Sequence, residues 1–116
     1  GFKKNAKGRG GMKYNVVRTD TADEQIRQII LHINENFGSD AALEKLEELE
    51  KSLMLLEEYL DMGTVPRYHI LRRQRYMVLI LEKNLVFYRI DDKKRQVIIY
   101  AAAGQKQDYL NIISGL

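Results

Sequence analysis

The chain carries two kinds of hydrophobic pattern, and the change between them falls near residue 66. Before that point, apolar residues recur at steps of one, three and four, the spacing that places them on one face of an α-helix. The first set comprises Ile26, Ile29, Ile30, Ile33 and Phe37, and the second comprises Leu43, Leu46, Leu49, Leu53, Leu56 and Leu60. The pattern predicts two amphipathic helices in succession.

Residues that start and stop helices bound both segments. Capping side chains precede each one: Thr19, Asp20 and Thr21 before the first, and Ser39 or Asp40 before the second. Gly38 occupies the position after the first helix where glycine is favoured, and Met62, Gly63 and Pro66 close the second. Because the link between the helices is so short, we expect an antiparallel helical hairpin.

Strand-like runs of β-branched and aromatic residues flank the helices. They cover residues 13–18, 76–81, 85–90 and 96–101, and short polar segments separate the last three. Gly104 ends the fourth run, and residues 108–113 can form a short C-terminal helix. The sequence therefore predicts an α+β fold of order β-α-α-β-β-β, in which a helical hairpin packs on a small, largely antiparallel β-sheet.

Composition indicates where the folded domain begins and argues against metal sites and membrane spans. Residues 1–11 are basic and rich in glycine, so we expect a disordered tail, appended ahead of a natural start at Met12, and one domain over residues 12–116. The chain has no cysteine, and His32 and His69 form no metal-ligand pattern, so we expect neither a metal nor a cofactor. No run is long and apolar enough for a membrane span, and the absence of cysteine favours a reducing cytoplasm.

Charge divides the chain more sharply than its net value of +3 suggests. Residues 20–61 hold twelve acidic and three basic residues, whereas residues 62–116 hold ten basic and four acidic ones. A basic half indicates an anionic partner such as RNA, DNA or an acidic peptide. The alternative is that the acidic hairpin and the basic sheet only complement each other.

Four short stretches, taken with the predicted order of elements, resemble the RelE/ParE toxin superfamily over about residues 13–113. They are INENFGS at residues 33–39, YLDMG at 59–63, LVFYRID at 85–91 and QDYL at 107–110. The long acidic hairpin, with its Asn-Phe-Gly-Ser junction, is more similar to the ParE-like plasmid-stabilisation branch than to the compact RelE-like members.

The resemblance implies the toxin of a type II toxin–antitoxin module, a growth inhibitor bound by a cognate antitoxin in a hetero-oligomer, with a homodimer also open. ParE-like toxins poison DNA gyrase, and RelE-like toxins are endoribonucleases that cleave messenger RNA on the ribosome. Fold does not choose between these targets, so whether the protein is an enzyme stays open. The long hairpin and the absence of a histidine at residues 101–105 favour gyrase, and an inactive relative that only binds an antitoxin is a third reading.

In the RelE-like reading, the resemblance assigns catalysis to Arg73, Arg75, Arg89 and Tyr109. Cleavage of RNA without a metal needs a base, an acid and cations for the charge that develops at phosphorus. Arginine suits the cationic role because its planar donors match a phosphate. Arg89 lies inside an apolar strand and must be paired or aimed at a ligand. The alternatives are packing for Tyr109 and a salt bridge from Arg89 to Asp91, Glu82 or a helix acid.

A second basic group, Arg67, His69, Arg72 and Lys106, is assigned to binding of the target or the antitoxin. If residues 67–75 lead into a strand, Arg73 and Arg75 share one face and Arg72 lies on the other. The alternative for this segment is a solvated edge strand, whose charges discourage aggregation. His32 lies between core positions of the first helix, where we expect a structural role.

Overall fold

The computed structural model describes residues 13–105. The predicted N-terminal tail, the predicted C-terminal helix and the candidate residues Lys106 and Tyr109 lie outside this range. Within it the elements are β1 (Asn15–Arg18), α1 (Asp20–Phe37), α2 (Ser39–Leu55), α3 (His69–Arg73), β2 (Met77–Ile80), β3 (Asn84–Asp91) and β4 (Gln96–Gly104). The α+β fold and the order of the predicted elements are confirmed, and α3 is an addition.

The four strands form one sheet in the order β1-β4-β3-β2. Strands β2, β3 and β4 pair in antiparallel fashion as two hairpins, as the short polar links predict. Strand β1 pairs with β4 in parallel, with Asn15 opposite Gln96 and Arg18 opposite Ile99. The register of β3 and β4 shifts between Phe87 and Tyr88, which leaves Tyr100 as an extra residue in β4.

The helical hairpin begins and turns where the capping residues predict. The Thr19 hydroxyl accepts a hydrogen bond from the Ala22 amide at 3.1 Å, which caps α1. Gly38 has φ 95°, a backbone conformation that residues with a Cβ rarely adopt, and joins α1 directly to α2. The apolar stripe of α1 stops short of the turn, because Phe37 is 73% exposed.

The main core lies between the hairpin and one face of the sheet. Its fully buried members are Ala22, Leu49, Leu56, Leu60, Val86, Tyr88, Val97 and Ile99. The helix α2 ends at Leu55, earlier than the leucine spacing predicts. Leu56 and Leu60 nevertheless stay in the core, because the chain continues in turns beneath the sheet.

The buried phenol of Tyr88 fixes the connection that follows α2. Its hydroxyl donates to the Leu60 carbonyl at 2.8 Å and accepts from the Gly63 amide at 3.1 Å. Burial is the main reason that the pKa of Tyr88 lies above 10.0; the Gly63 hydrogen bond opposes the shift, and Asp61 adds to it. Thr64 then pairs with Val78 at the edge of β2, so the connection is held against the sheet.

The segment that leads into β2 is helical and not extended, contrary to the sequence interpretation. Residues His69–Arg73 form α3, and Arg75 follows with φ 67°. The expectation that Arg73 and Arg75 share one strand face and Arg72 the other is therefore wrong, as is the edge-strand alternative. Leu71 of α3 instead joins Tyr76, Val78, Phe87 and Ala101 in a second apolar cluster on the other face of the sheet. Of the helices in residues 13–105, none has the length and apolar character needed to cross a membrane.

Candidate functional site

Arg89 lies on the face of the sheet that is turned away from the hairpin. Its strand neighbours Tyr88 and Ile90 pack in the main core, and side chains alternate along a strand. The guanidinium lies 5.4 Å from the centre of the Tyr76 ring and 5.8 Å from that of Tyr100. The two rings meet edge to face, with centroids 5.3 Å apart. Each cation–π contact is worth about 0.5–2 kcal/mol, so the rings hold the arginine in place.

Two tyrosines, rather than an acidic group, therefore accompany the charge of Arg89. Among residues 13–105 no carboxylate forms an ion pair with it, so the alternative of a salt bridge to Asp91, Glu82 or a helix acid is wrong. The Asp91 carboxylate instead accepts hydrogen bonds from the amides of Lys93 and Lys94, both at 3.1 Å. The half-buried guanidinium keeps its charge available to an anion from outside.

Residues 67–75, which precede Tyr76, supply further basic side chains, some of which contact the protein while others are exposed. Arg72 donates to the carbonyl oxygens of Pro66 at 3.0 Å and Arg67 at 2.8 Å, which closes the loop before α3. The Arg67 guanidinium lies 5.6 Å from the centre of the Tyr68 ring. His69, Arg73 and Arg75 are exposed. Arg75 directly precedes Tyr76 in the chain, so its backbone lies close to the two tyrosine rings that contact Arg89.

A concave feature, which we call the β4 groove, lies on the hairpin side of the sheet, whereas α3 packs on the other face. It encloses about 610 Å³ between α1, the start of α2, the start of β3 and the end of β4. Its lining comprises Glu24, Gln25, Gln28, Ile29, His32, Ile33, Lys45, Lys83, Asn84, Ala102, Ala103 and Gly104. His32, expected to be structural, is exposed at this groove and contacts Asn36.

Sequence reasoning missed the β4 groove, although a signal for it was present. The run Ala101-Ala102-Ala103-Gly104 ends β4 with small side chains, which leave space beneath α1. No cluster of three or more potential metal-ligating His, Asp or Glu side chains occurs in the part of the chain that the structure describes.

Comparison with known proteins gives one family and a set of similar folds. A family model described as the ParE toxin of the type II toxin–antitoxin system, parDE, matches residues 16–109. A chain from the chromosomal ParDE toxin–antitoxin system of P. aeruginosa superposes with a TM-score of 0.66 at 15% identity, covering 79% of this chain and 96% of that one.

A chain from the toxin–antitoxin complex RelBE2 of Mycobacterium tuberculosis has a similar fold. It superposes with a TM-score of 0.56 at 20% identity, covering 83% of this chain and 95% of that one. At these identities the superpositions show a shared fold. A search of curated protein sequences finds no significant match.

Proposed function

The chain belongs to the family of ParE toxins of type II toxin–antitoxin systems, and from that premise we propose that it inhibits growth when released from a cognate antitoxin. The membership expected from the sequence is confirmed, and the matched residues 16–109 include nearly all the described fold. In this proposal the protein acts in the cytoplasm, forms a hetero-oligomer with its antitoxin, and takes part in plasmid stabilisation.

We propose DNA gyrase as the target, inhibited by docking and not by cleavage of a substrate. The carrying observation is Arg89, which two tyrosine rings hold in place while no described carboxylate neutralises it. A preorganised, unpaired guanidinium suits recognition of an anionic group on a partner. Arg73, Arg75 and His69 extend the basic surface on the α3 side, with Lys106 and Tyr109 outside the described range.

The alternative proposal is a ribosome-dependent endoribonuclease that uses Arg73, Arg75, Arg89 and Tyr109. The same guanidinium favours it, because an arginine that is held rigidly can bind a scissile phosphate. Cleavage also needs groups that take and give a proton beside that phosphate. The described neighbours of Arg89 are Tyr76 and Tyr100, which contact it through their rings, so the docking proposal is the better supported.

A purified assay separates the two proposals. Gyrase and supercoiled plasmid DNA are incubated with the protein, and trapped cleavage complexes are released as linear DNA by detergent and protease. We expect linear DNA in proportion to added protein, and at least tenfold less with Arg89→Ala. Arg27→Ala, which removes an exposed arginine on α1, is the matched control and should act as wild type.

The other possible results of the gyrase assay also distinguish between the proposals. Absence of linear DNA, together with cutting of ribosome-bound messenger RNA by wild type and not by Arg89→Ala, replaces gyrase with the nuclease proposal. Inactivity in both assays, by a protein shown to be folded by circular dichroism, leaves a relative that only binds an antitoxin. Full activity of Arg89→Ala on gyrase removes the docking role of this residue while leaving the target intact.

A further inference from the structure

The β4 groove has the size and lining of a site for a small organic molecule. Its volume of about 610 Å³ lies within the range of about 300–1,000 Å³ that is usual for such sites. Ile29 and Ile33 of α1 line one side, and Ala102, Ala103 and Gly104 of β4 line the other. Because these three β4 residues carry no side chain larger than a methyl group, the space between them and α1 is a slot that favours a flat, apolar body.

Asn84 places a buried hydrogen-bond acceptor at this slot. Val86 and Tyr88, the next residues on the same face of β3, pack in the main core, so the Asn84 side chain also faces the hairpin and lines the groove. The residue is 3% exposed, and its Oδ1 has no hydrogen-bond partner. The orientation of the amide follows from Nδ2, which can donate to the Ala103 carbonyl and lies 3.5 Å from it.

The unpaired oxygen of Asn84 selects for a particular group on the ligand. A buried acceptor without a donor is uncommon in proteins, and it costs free energy that a ligand N–H group can recover. The bond from Nδ2 is long, so the amide can turn its oxygen toward the groove. We therefore expect a ligand that carries an N–H group at the edge of its flat body.

Lys83 supplies the positive charge that remains unpaired at the groove. Glu24 accepts a hydrogen bond from Arg27 at 2.7 Å, and Lys45 is paired with Glu48 at 3.0 Å. Lys83 is exposed, and no carboxylate of residues 13–105 forms an ion pair with it. Because this lysine directly precedes the residue with the buried acceptor, a carboxylate close to the N–H group of the ligand would complement it.

We propose that the β4 groove binds a small, flat aromatic acid that carries a ring N–H group, the chemistry of an indole carboxylate. The ring lies between the isoleucines of α1 and the small residues of β4, its N–H group donates to Oδ1 of Asn84, and its carboxylate pairs with Lys83. This site is separate from Arg89, because the groove and the Arg89 guanidinium lie on opposite faces of the sheet. Its occupancy does not depend on the proposed inhibition of gyrase.

Titration of the full chain with indole-3-acetate, followed by two-dimensional nuclear magnetic resonance of backbone and side-chain amides, tests the site. We expect saturable shifts of the Asn84 side-chain amide and the Ala102 backbone amide, and none at Arg89. Two matched compounds each remove one group: naphthalene-1-acetate lacks the N–H group, and indole lacks the carboxylate. Each should bind at least about fivefold more weakly than indole-3-acetate, the loss that one hydrogen bond or ion pair produces.

Matched variants assign the two polar contacts. Asn84→Leu removes the acceptor, so indole-3-acetate and naphthalene-1-acetate should bind this variant equally. Lys83→Gln should weaken binding of indole-3-acetate and leave that of indole unchanged, whereas Lys94→Gln in the β3–β4 turn should change neither. If Asn84→Leu does not fold, the comparison of the two acids on the wild type still tests the acceptor.

Three results would each overturn the proposal. They are an absence of saturable shifts with indole-3-acetate, equal affinities of the wild type for the two acids, and shifts centred outside the groove. Equal effects of Lys83→Gln and Lys94→Gln would remove the assigned ion pair and with it the preference for an acid. Because the titration reports binding alone, a protein that poisons gyrase without binding these compounds loses this site and keeps its proposed function.

Discussion

Replacement of Tyr88 by phenylalanine removes one hydroxyl group and leaves the rest of the core in place. That hydroxyl is the donor to the Leu60 carbonyl and the acceptor from the Gly63 amide. Tyr88 is 0% exposed and Leu60 is 1% exposed, so solvent does not reach the carbonyl that loses its partner. We expect Tyr88→Phe to destabilise the fold through the connection after α2.

The structure allows the loss of stability to be estimated. A buried carbonyl left without a donor costs about 1–3 kcal/mol. Gly63 is only half-buried, so water can bind its amide and the share of this second bond is smaller, about 0.5 kcal/mol. The expected loss in the free energy of unfolding is about 1.5–3.5 kcal/mol, a large part of the roughly 5–15 kcal/mol that stabilises a typical domain.

Urea unfolding followed by far-ultraviolet circular dichroism measures this change. With a denaturant dependence of about 2 kcal/mol per molar, the midpoint should fall by about 0.8–1.8 M at an unchanged slope. Tyr59→Phe is the matched control, because it removes a hydroxyl from a residue that is 38% exposed, and it should change stability by less than about 0.5 kcal/mol. Equal stabilities of the two variants would refute the reasoning.

The raised pKa of Tyr88 predicts that the stabilities of wild type and Tyr88→Phe depend differently on pH. In the unfolded chain the phenol loses its proton near 10.0, whereas burial keeps it protonated in the folded chain to a higher pH. The unfolded state therefore binds fewer protons above that pH, and stability falls as the pH rises toward the folded-state pKa. Tyr88→Phe should lose less stability between pH 9 and 11 than wild type does, and an identical loss would contradict the assignment.

The remaining predictions concern a backbone position, the cap of α1 and a pair of partly exposed ion pairs, and urea unfolding measures each one. In Gly63→Ala the new Cβ would lie 2.7 Å from both the Tyr88 hydroxyl oxygen and the Val78 carbonyl oxygen, so we expect a loss of about 1–3 kcal/mol. Thr19→Ala should lose about 1 kcal/mol with the cap of α1, and Thr19→Ser should restore most of it. Arg18→Ala should lose less than about 1 kcal/mol, and the difference should shrink in about 1 M salt, because its ion pairs are partly exposed.

Local chemistry explains which parts of the fold could be predicted from the sequence. The hairpin turn follows from Gly38, whose positive φ disfavours other residues, and the start of α1 follows from a threonine that can cap it. The strand hairpins follow from apolar runs separated by short polar links. Each of these signals lies within a few residues of the element that it specifies.

The features that were missed depend on contacts between distant segments. Parallel pairing of β1 with β4 joins residues about eighty positions apart, and nothing local to residues 15–18 determines it. Helix α3 is five residues long and carries two arginines, so only the burial of Leu71 against the face of the sheet opposite the hairpin distinguishes it from an extended segment. Sequence alone showed that Arg89 needed a partner, but the rings of Tyr76 and Tyr100 reach it only through the fold.

The proposal that this chain is a gyrase poison acting through Arg89 is tested most directly by a short pulse of expression in bacterial cells. Incorporation of labelled thymidine and labelled methionine is followed separately, for wild type and for Arg89→Ala expressed at the same level. The account predicts that DNA synthesis stops first in the wild type, with induction of the DNA-damage response, and continues in the variant. Translation that stops within minutes while DNA synthesis continues would contradict it.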